Sequence, residues 1–382
     1  MKVLFVMPLA ERLGGAENIL WSFLQHVDRR RVEPALVFFE DGAFRREAAG
    51  IGIKTYVARP ERARRPRILL FPPLLARVVR RERPDLLFSW LVEAQPFTAV
   101  AGILTGMARR VVWWQANQPR ADFWERVATA LPSRVVFMYS HATAAVQRAI
   151  WPHRETVVVH PGIDPPEDVD EADAARLREE VGLQPGRPVV GIVGRLGAWK
   201  GQHHVLRALA LLRERGHDVH GLLVGGNAFN LEPEYEPYLR RLVSELGLDG
   251  SVTFTGQVPD GARYMRLMDV VVNASDLEPF GIVVLEAMAR GVPVVAVNAG
   301  GPAEILEDGV SGLLVPSPDP QHFAAAFEQL LGDPAKRAEL AENAQRRFRE
   351  RFTVERMVED LTVAIERVAG DPCKERWGAA GR

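Results

Sequence analysis

The sequence predicts an α/β fold with two doubly wound domains. Short apolar runs rich in Val, Ile and Phe alternate with segments of helical period, which is typical of parallel sheets covered by helices on both faces. A length of 382 residues also exceeds what one ordinary core accommodates. The alternation stops at residues 161–173, a run with three prolines and a cluster of acids, and then restarts. We therefore expect a linker there, between domains at residues 1–170 and 186–354.

The apolar runs predict the strands of both domains. In the first domain we expect them at residues 2–7, 34–39, 54–57, 86–89, 110–114, 135–137 and 156–159. In the second domain we expect them at residues 188–194, 222–224, 252–255, 270–273, 294–297 and 313–315. Residues 17–27 and 140–148 have helical period, and residues 319–368 are helical in pattern. Because doubly wound sheets bind ligands outside the carboxyl ends of their strands, the loops there should carry the chemistry.

The composition is that of a soluble globular protein, with 47% apolar and 25% charged residues. The net charge of -1 provides no general attraction for nucleic acid. A single cysteine, Cys373, excludes an internal disulfide and fits a reducing compartment. The first apolar run ends at Pro8, too early for a secretion signal, and no segment approaches the roughly 20 apolar residues that span a bilayer. We expect a cytoplasmic protein.

Two loops after predicted strands combine glycines with a site for anions. Gly15 opens a helix directly after the first strand, where free backbone N–H groups and close approach favour a phosphate, although an ordinary strand-to-helix turn has the same sequence. Arg195 and Lys200 lie in a glycine-rich loop between a buried strand and a helix. Two cations in one loop suit a diphosphate, whose negative charge grows when it leaves a sugar.

A third loop carries carboxylates at the start of a predicted helix. The strand before it ends near Asn273, and the helix begins around Phe280 or Gly281, so the backbone N–H groups of Phe280, Gly281 and Ile282 are available to a phosphate or a sugar hydroxyl. Glu278 precedes the helix and Glu286 lies in its second turn. Acids are also favoured near helix N-termini by the dipole, but Glu286 lies beyond the first turn.

A dinucleotide-binding oxidoreductase is excluded by the spacing of the glycines. Gly191, Gly194 and Gly197 do not form G-x-G-x-x-G, and Leu211 and Leu212 occupy the region where an acid would bind the ribose. The glycines of residues 298–304 again stand between a strand and a helix, which alone is a weak signal.

These segments, taken together, resemble the GT-B retaining glycosyltransferases of family 4, the glycogen-synthase-like and mannosyltransferase-like group. The resemblance covers most of the second domain and a few points of the first. Its most specific element is the pair Glu278 and Glu286, eight residues apart, within its surroundings. The matching segments are GGAE (14–17), GRLGAWKG (194–201), VTFTG (252–256), SDLEPFGIVVLEAMARGVPVVAVNAGGPAEIL (275–306) and DGVSGLLVP (308–316).

The resemblance implies a nucleotide-sugar donor, linked to UDP or GDP, in a cleft between two Rossmann-like domains. Arg195 and Lys200 would bind the diphosphate and stabilise it as the leaving group, and Gly15 would approach it from the first domain. Glu278 would hold the hydroxyls of the transferred sugar, and Glu286 those of the ribose.

Further expectations follow from the same family. Val258 would border the base, and the helix at residues 355–370 would return to the first domain, which binds the acceptor. Family members transfer the sugar with retention and use neither a metal nor another cofactor. The acceptor would be a carbohydrate, a lipid-linked molecule or a small molecule, and no nucleic acid is expected.

The chain departs from many relatives in the loop after the fifth predicted strand. Those relatives carry a histidine near the sugar, whereas residues 114–118 here contain none. Gln115 or Asn117 could instead bind the acceptor. Ala116 leaves open a catalytically impaired nucleotide-sugar binder, and a nucleotide-sugar epimerase of the same architecture is a further alternative.

Three other features favour structural interpretations. Asp168 and Asp170 match a metal-binding D-x-D pattern but lie in the expected linker. Trp113 and Trp114 are expected in the core and the cleft wall. Residues 59–83 form a basic amphipathic stretch that can contact an anionic membrane peripherally, although a helix with an apolar core face and a solvated arginine face is favoured.

Overall fold

The computed structural model describes residues 1–12, 14–58, 70–166, 169–227 and 231–370, which form two compact α/β units. The first unit comprises Met1–Gly162 together with the chain from Val354 onward, and the second comprises Ile163–Thr353. The boundary differs from the expected linker, because residues 163–170 belong to the second unit. Ile163 pairs with Thr353 in a short parallel bridge, and its N–H donates to the Phe352 carbonyl at 3.1 Å.

The first unit contains a seven-stranded parallel sheet in the order β3-β2-β1-β4-β5-β6-β7. Each strand lies within two residues of its predicted ends; apart from the edge strand β3, whose residues are exposed or half-buried, the apolar runs that define the strands are largely buried. The strands are β1 Lys2–Met7, β2 Glu33–Phe38, β3 Lys54–Val57, β4 Leu86–Trp90, β5 Val111–Gln115, β6 Val136–Met138 and β7 Thr156–Val158. The helices are α1 Gly15–His26, α2 Ala43–Gly50, α3 Phe71–Glu82, α4 Gln95–Leu104, α5 Phe123–Ala130 and α6 His141–Ala149.

Large aromatic side chains fill the core of this sheet. Trp90, Trp113 and Trp114 are fully buried, which confirms the core position predicted for the last two. The Trp90 and Trp114 rings stack with centroids 4.6 Å apart, and the Phe88 and Phe137 rings lie 5.0 Å apart. These pairs join β4, β5 and β6, so the carboxyl ends of those strands share one rigid support.

The second unit contains a six-stranded parallel sheet in the order β10-β9-β8-β11-β12-β13. Its strands are β8 Val189–Val193, β9 His220–Val224, β10 Val252–Phe254, β11 Val270–Asn273, β12 Val294–Val297 and β13 Leu313–Val315. Its helices are α7 Glu171–Glu180, α8 Gln202–Glu214, α9 Tyr235–Glu245, α10 Ile282–Ala289, α11 Pro302–Ile305, α12 Pro320–Gly332 and α13 Pro334–Arg351. The core includes apolar residues of the central strand β8, of α8 and of α12.

The strand order fixes where a ligand can bind in each sheet. From β8 the chain winds outward to β9 and β10, and then returns to place β11 on the other side of β8. The loops after β8 and β11 therefore leave the sheet in opposite directions and open a crevice at its carboxyl edge. In the first unit, β1 and β4 have the same relation.

The linker acid and the described part of the basic stretch have structural roles. Asp170 caps α7 by accepting the Asp173 N–H at 2.7 Å, and Asp168 lies outside the described residues. Residues 59–69 of the basic stretch also lie outside them. In α3, Leu75, Ala76 and Val79 are buried while Arg77, Arg80 and Arg81 are exposed, as the favoured interpretation predicts. No helix in the described segments has the length and apolarity to cross a membrane.

The last helix, α14 Val354–Gly370, packs in the first unit. Leu361 and Ile365 on its apolar face are fully buried. On its rim, Arg31 from the start of the chain pairs with Glu359 and Glu366 at 2.7 Å each. Burial of the apolar face is the main source of stability here, because partly exposed ion pairs contribute little.

Leu361→Ala should therefore destabilise the first unit, whereas Val363→Ala should not. Leu361 is completely buried, so the substitution removes apolar contacts and leaves a cavity, at a cost of about 2–5 kcal/mol. Val363 lies on the same helix but is 46% exposed, which makes it the matched control. Urea denaturation followed by circular dichroism measures both changes. Equal midpoints for the two variants would contradict this account of how α14 is held.

Candidate functional site

The loop after β8 is fixed by backbone hydrogen bonds to neighbouring loops. The Gly194 N–H donates to the Val224 carbonyl at 2.9 Å, and the Leu196 N–H donates to the Gly226 carbonyl at 3.0 Å. A short 3-10 turn at Ala198–Lys200 follows, and Gly201, with φ of +75°, directly precedes α8. A Cβ atom at Gly201 would overlap the Ala274 carbonyl, so only glycine allows this loop to approach the one after β11.

Lys200 and Glu278 meet between these two loops. The Lys200 Nζ atom donates to Glu278 Oε2 at 2.6 Å. Glu278 is only 7% exposed, so its carboxylate needs a partner of opposite charge. The structure thus brings together two residues that are 78 positions apart in the sequence and that were both predicted to bind the donor.

Two polar residues that the sequence analysis assigned no role also hold Glu278. The Ser275 hydroxyl donates to Glu278 Oε2 at 2.9 Å, and the Asn273 side-chain amide lies 3.5 Å from the same oxygen. Both residues are buried. Asn273 and Ser275 lie at and just after the end of β11, five and three residues before the glutamate. This position is the sequence feature from which their role could have been predicted. The carboxylate is therefore held in place even without a ligand.

Arg195 and Lys200 both lie near the aromatic ring of Trp199. The Lys200 Nζ atom is 4.1 Å from the centroid of the Trp199 ring, and the Arg195 guanidinium carbon is 6.0 Å from it. Such contacts attract a cation without neutralising it. Within the part of the chain that the structure describes, no carboxylate forms an ion pair with Arg195. Its half-buried guanidinium therefore keeps its capacity to bind an anion.

The N-terminus of α10 presents backbone donors beside Glu278. Gly281 precedes the helix, which begins at Ile282, within two residues of the predicted start. Among the described residues, no side chain caps this end, and the first turn contains no acid. Phe280 is buried beneath it. An uncapped N-terminus has unsatisfied N–H groups and a partial positive charge, which together favour an oxyanion.

The glycines before α11 have a packing role at this site. The Gly301 N–H donates to the Glu278 carbonyl at 2.9 Å. A Cβ atom on Gly301 would overlap the backbone of Phe280. The segment that alone gave a weak signal thus supports the loop that carries Glu278 and the start of α10.

Glu286 is half-buried one turn further along α10. Burial raises the pKa of its carboxyl group to about 7; Arg290 opposes this shift and Asp260 adds to it. Burial also lowers the pKa of the Arg290 guanidinium. The Glu286 carboxyl group therefore changes its charge in the neutral range, unlike an exposed glutamate.

Val258 lies near the carboxyl ends of the central strands. A Cβ atom on the neighbouring Gly261 would be 3.1 Å from the Val193 side chain, 3.4 Å from that of Val224 and 3.9 Å from that of Val258. Val258 is half-buried, and it is the last of the residues of this unit that were predicted to bind the donor.

In the first unit, Gly15 begins α1 and is exposed, so its backbone is accessible at the carboxyl edge of the sheet. Glu17 is buried in the first turn of this helix, and the nearby backbone N–H groups of Gly14 and of Glu17 itself favour its ionised form. Burial raises the pKa of Glu17. This carboxyl group, to which the sequence analysis gave no role, stabilises the turn that displays Gly15.

The two candidate acceptor residues have different surroundings. Asn117 is exposed. Gln115 is only 1% exposed, and its amide donates to Glu125 Oε1 at 3.1 Å beneath the loop, so it supports the loop from below and does not face an acceptor. The sequence could not show this direction, because Gln115 is the last residue of β5 and its partner Glu125 lies on α5.

Each half of the chain matches a known family. "Glycosyl transferases group 1" matches residues 173–347, and "Glycosyltransferase Family 4" matches residues 13–167. The two matches include the loop of Arg195 and Lys200, the loop of Glu278 and the turn at Gly15.

Two curated relatives are similar over about half of the chain. The alpha-D-kanosaminyltransferase of Streptomyces kanamyceticus is 34% identical over 235 residues, 60% of this chain and 59% of that protein. The GDP-mannose-dependent alpha-(1-6)-phosphatidylinositol monomannoside mannosyltransferase of Mycolicibacterium smegmatis is 35% identical over 214 residues, 53% of this chain and 54% of that protein. The alignments thus span little more than half the length of these relatives.

A solved structure matches over almost the whole chain. Anabaena HepE in complex with UDP has a TM-score of 0.80 and 30% identity, covering 96% of this chain and all of that one. The same protein in complex with UDP-glucose has a TM-score of 0.80 and 29% identity. Two doubly wound parallel-sheet units, each with a switch point in its strand order, define an α/β protein of the Rossmann-like class. More specifically, the chain belongs to the GT-B glycosyltransferases of family 4.

Gly301→Ala should weaken nucleotide binding and destabilise the second unit. The added methyl group overlaps the Phe280 backbone and must displace the start of α10, and overpacking of this kind costs about 1–3 kcal/mol. Gly332→Ala, at the end of α12, is the control because a Cβ atom there meets nothing within 4 Å. Thermal unfolding with and without UDP measures both effects. A Gly301→Ala protein with the parent melting temperature and UDP response would contradict the assigned packing.

Glu286→Gln should stabilise the unliganded protein at pH 8 more than at pH 5. The pKa of Glu286 is about 7 in the folded protein and near 4.5 when it is exposed, so the folded state retains a proton that the unfolded state releases between these values. Stability contributed by this group therefore falls as the pH rises from about 4.5 to 7, and glutamine removes the effect. Melting temperatures at both pH values test this, with Glu339→Gln as an exposed control. A pH-independent difference would refute the shift.

Proposed function

We propose that this chain is a retaining glycosyltransferase that moves a hexosyl group from a UDP-sugar to an acceptor hydroxyl without a metal. The observation that carries the proposal is the contact between Lys200 and Glu278 at the switch point of the second sheet, with Arg195 beside it. A cation for phosphate and a carboxylate for sugar hydroxyls are adjacent there. A nucleotide-diphosphate sugar carries both kinds of group on neighbouring atoms.

Arg195, Lys200 and the start of α10 would bind the diphosphate. When the bond between the sugar C1 atom and the phosphate oxygen breaks, negative charge accumulates on the diphosphate. Two cations and oriented backbone N–H groups lower the energy of that charge more than they lower the energy of the intact donor. These groups can supply the charge stabilisation that a divalent ion provides in other enzymes, which supports the metal-independent part of the proposal.

When the donor binds, Glu278 would release Lys200 and bind the sugar instead. Without ligand, Lys200 neutralises this buried carboxylate and Ser275 orients it. When a diphosphate attracts the Lys200 ammonium group, Glu278 can accept hydrogen bonds from two sugar hydroxyls. The Lys200 ammonium group then pairs with the diphosphate, and hydrogen bonds from the sugar hydroxyls replace its contact with the Glu278 carboxylate and offset the loss of that ion pair.

Glu286 and Val258 would bind the nucleoside. An ionised carboxylate accepts hydrogen bonds from both ribose hydroxyls, and the half-buried Val258 would border the base. Uracil is proposed as the base because HepE, which matches 96% of this chain, was solved with UDP and with UDP-glucose. The mycobacterial relative is GDP-mannose-dependent, so guanine is the alternative base that the binding experiments must exclude.

The chemical step would replace one bond at the sugar C1 atom by another on the same face. The bond to the diphosphate oxygen breaks, the acceptor oxygen bonds to C1, and the acceptor proton passes to the departing diphosphate. This step needs no protein nucleophile, and the support for it is family membership together with the cationic leaving-group site. Asn117, exposed in the first unit, remains the proposed contact for the acceptor.

The proposal is tested with Glu278→Gln and a matched control. Glutamine keeps the Ser275 contact but loses the charge, so transfer should fall about 10²–10³-fold while the protein stays folded. The control is Glu339→Gln, which disrupts an exposed ion pair with Lys336 elsewhere in the unit. Lys200→Met is less suitable alone, because it leaves a buried carboxylate unpaired and should also lower stability.

The measurements are calorimetry with UDP and GDP, and transfer from UDP-glucose and GDP-mannose to a panel of glycosides with and without EDTA. NMR of the product's anomeric proton reports retention or inversion. UDP binding without transfer or donor hydrolysis would identify an impaired binder, and conversion of the donor without acceptor would identify an epimerase. Activity lost with EDTA and restored by Mg²⁺ would refute metal independence. Unchanged transfer in Glu278→Gln would refute the site.

A further inference from the structure

Two adjacent aromatic side chains of the first unit are exposed although both are large. Phe123 and Trp124 are each 69% exposed. Their ring centroids lie 5.2 Å apart with the planes at 74°, so the pair forms an angular surface. Neither ring contributes to the core of its own unit. Exposed aromatic clusters of this kind mark binding sites more often than single exposed residues do.

The backbone beneath the pair is held firmly. Asp122 caps α5 by accepting the Glu125 N–H at 2.9 Å. The buried Glu125 carboxylate accepts hydrogen bonds from the backbone N–H groups of Arg120 and Ala121 and from the Gln115 amide. A buried carboxylate thus ties the loop and the helix to the end of β5. The two rings are displayed from a fixed turn, which reduces the entropy that a ligand would have to remove.

The pair lies at the functional edge of the first sheet. It follows β5 by the short loop that contains Asn117, and the carboxyl ends of parallel strands share one edge of a sheet. The start of α1 at Gly15 belongs to the same edge. The acceptor is expected at this edge, so the pair belongs with the acceptor and not with the donor.

The charges around the pair favour a neutral partner over a membrane. Arg120 and Arg126 are exposed, and the exposed Asp122 offsets one of them. One net positive charge gives only about 1 kcal/mol of attraction to an anionic bilayer, and two rings bury little area in lipid. The flat C–H faces of a pyranose ring, in contrast, match the area of an indole and need no net charge.

We propose that Phe123 and Trp124 form a stacking platform for a sugar ring of the acceptor, which makes the acceptor a carbohydrate. This inference rests on the proposed glycosyltransferase function and names the substrate class of its acceptor side. Trp124 packs against one face of the pyranose, Phe123 contacts the edge of the same sugar ring, and Asn117 contacts a ring hydroxyl.

The chain offers a matched control in Trp151. This tryptophan is 71% exposed in the same unit but follows α6 and precedes β7, at the opposite edge of the sheet. The protein has eight tryptophans, so incorporation of 5-fluorotryptophan gives a resolvable ¹⁹F NMR spectrum. Trp124→Phe and Trp151→Phe assign the two resonances.

The probes are methyl β-D-glucopyranoside, methyl α-D-mannopyranoside and maltose, each titrated in the presence of UDP. At least one glycoside should shift the Trp124 resonance saturably and leave Trp151 unchanged. Trp124→Ala and Phe123→Ala should raise the dissociation constant of that glycoside about 10-fold or more, whereas Trp151→Ala should not. Calorimetry should show unchanged UDP binding in all three variants.

The outcomes separate the two proposals. Failure of the parent protein to bind UDP or GDP would refute the proposed function itself. Nucleotide binding with no response of Trp124 to any of the three glycosides would overturn the platform and leave the function standing. A Trp124 response to phosphatidylglycerol vesicles in place of the glycosides would overturn it in favour of a membrane contact.

Discussion

The ion pair between Lys200 and Glu278 is the interaction on which the described site depends. It joins the loops after β8 and β11, the two strands at the switch point of the second sheet. A carboxylate that is 7% exposed would be costly without a partner, and the approach of the two loops provides one. Gly201 permits this approach on one side, and Gly301 supports the Glu278 loop on the other. The positions of the glycines and of the charged residues in these loops therefore depend on one another.

The same pair explains how a charged site can exist before its ligand arrives. Lys200 and Glu278 satisfy each other, Ser275 fixes the carboxylate, and Arg195 rests near Trp199. Under the proposed function, a diphosphate and a sugar replace these internal partners one for one. Glu286 differs, because no cation among the described residues forms an ion pair with its carboxyl group, and burial raises the pKa of that group to about 7. An ionised Glu286 carboxylate therefore lowers the stability of the folded protein above about pH 7.

The two units differ in how much of their chemistry can be recognised in sequence. A site for a diphosphate is built from cations, glycines and helix N-termini in a fixed order. Residues 194–201 and 275–306 contain these features, so they can be recognised in the sequence. Acceptors share no such group, so the first unit carries only a short recognisable turn at Gly14 and Gly15. Phe123 and Trp124 were not recognisable from sequence, since an aromatic pair at the start of a helix usually enters a core, and only its exposure distinguishes it.

Hydrophobic period and glycine spacing are local properties of the chain, so they were enough to predict the strands, the alternation with helices, and the loops that carry Arg195, Lys200 and Glu278. Which side chains meet depends instead on how the elements pack in three dimensions. The tertiary structure paired Lys200 with Glu278 across 78 positions, returned α14 to the first unit, and assigned residues 163–170 to the second. It also turned Gln115 inward towards Glu125. Side-chain direction, burial and pKa depend on residues distant in sequence, which no local pattern contains.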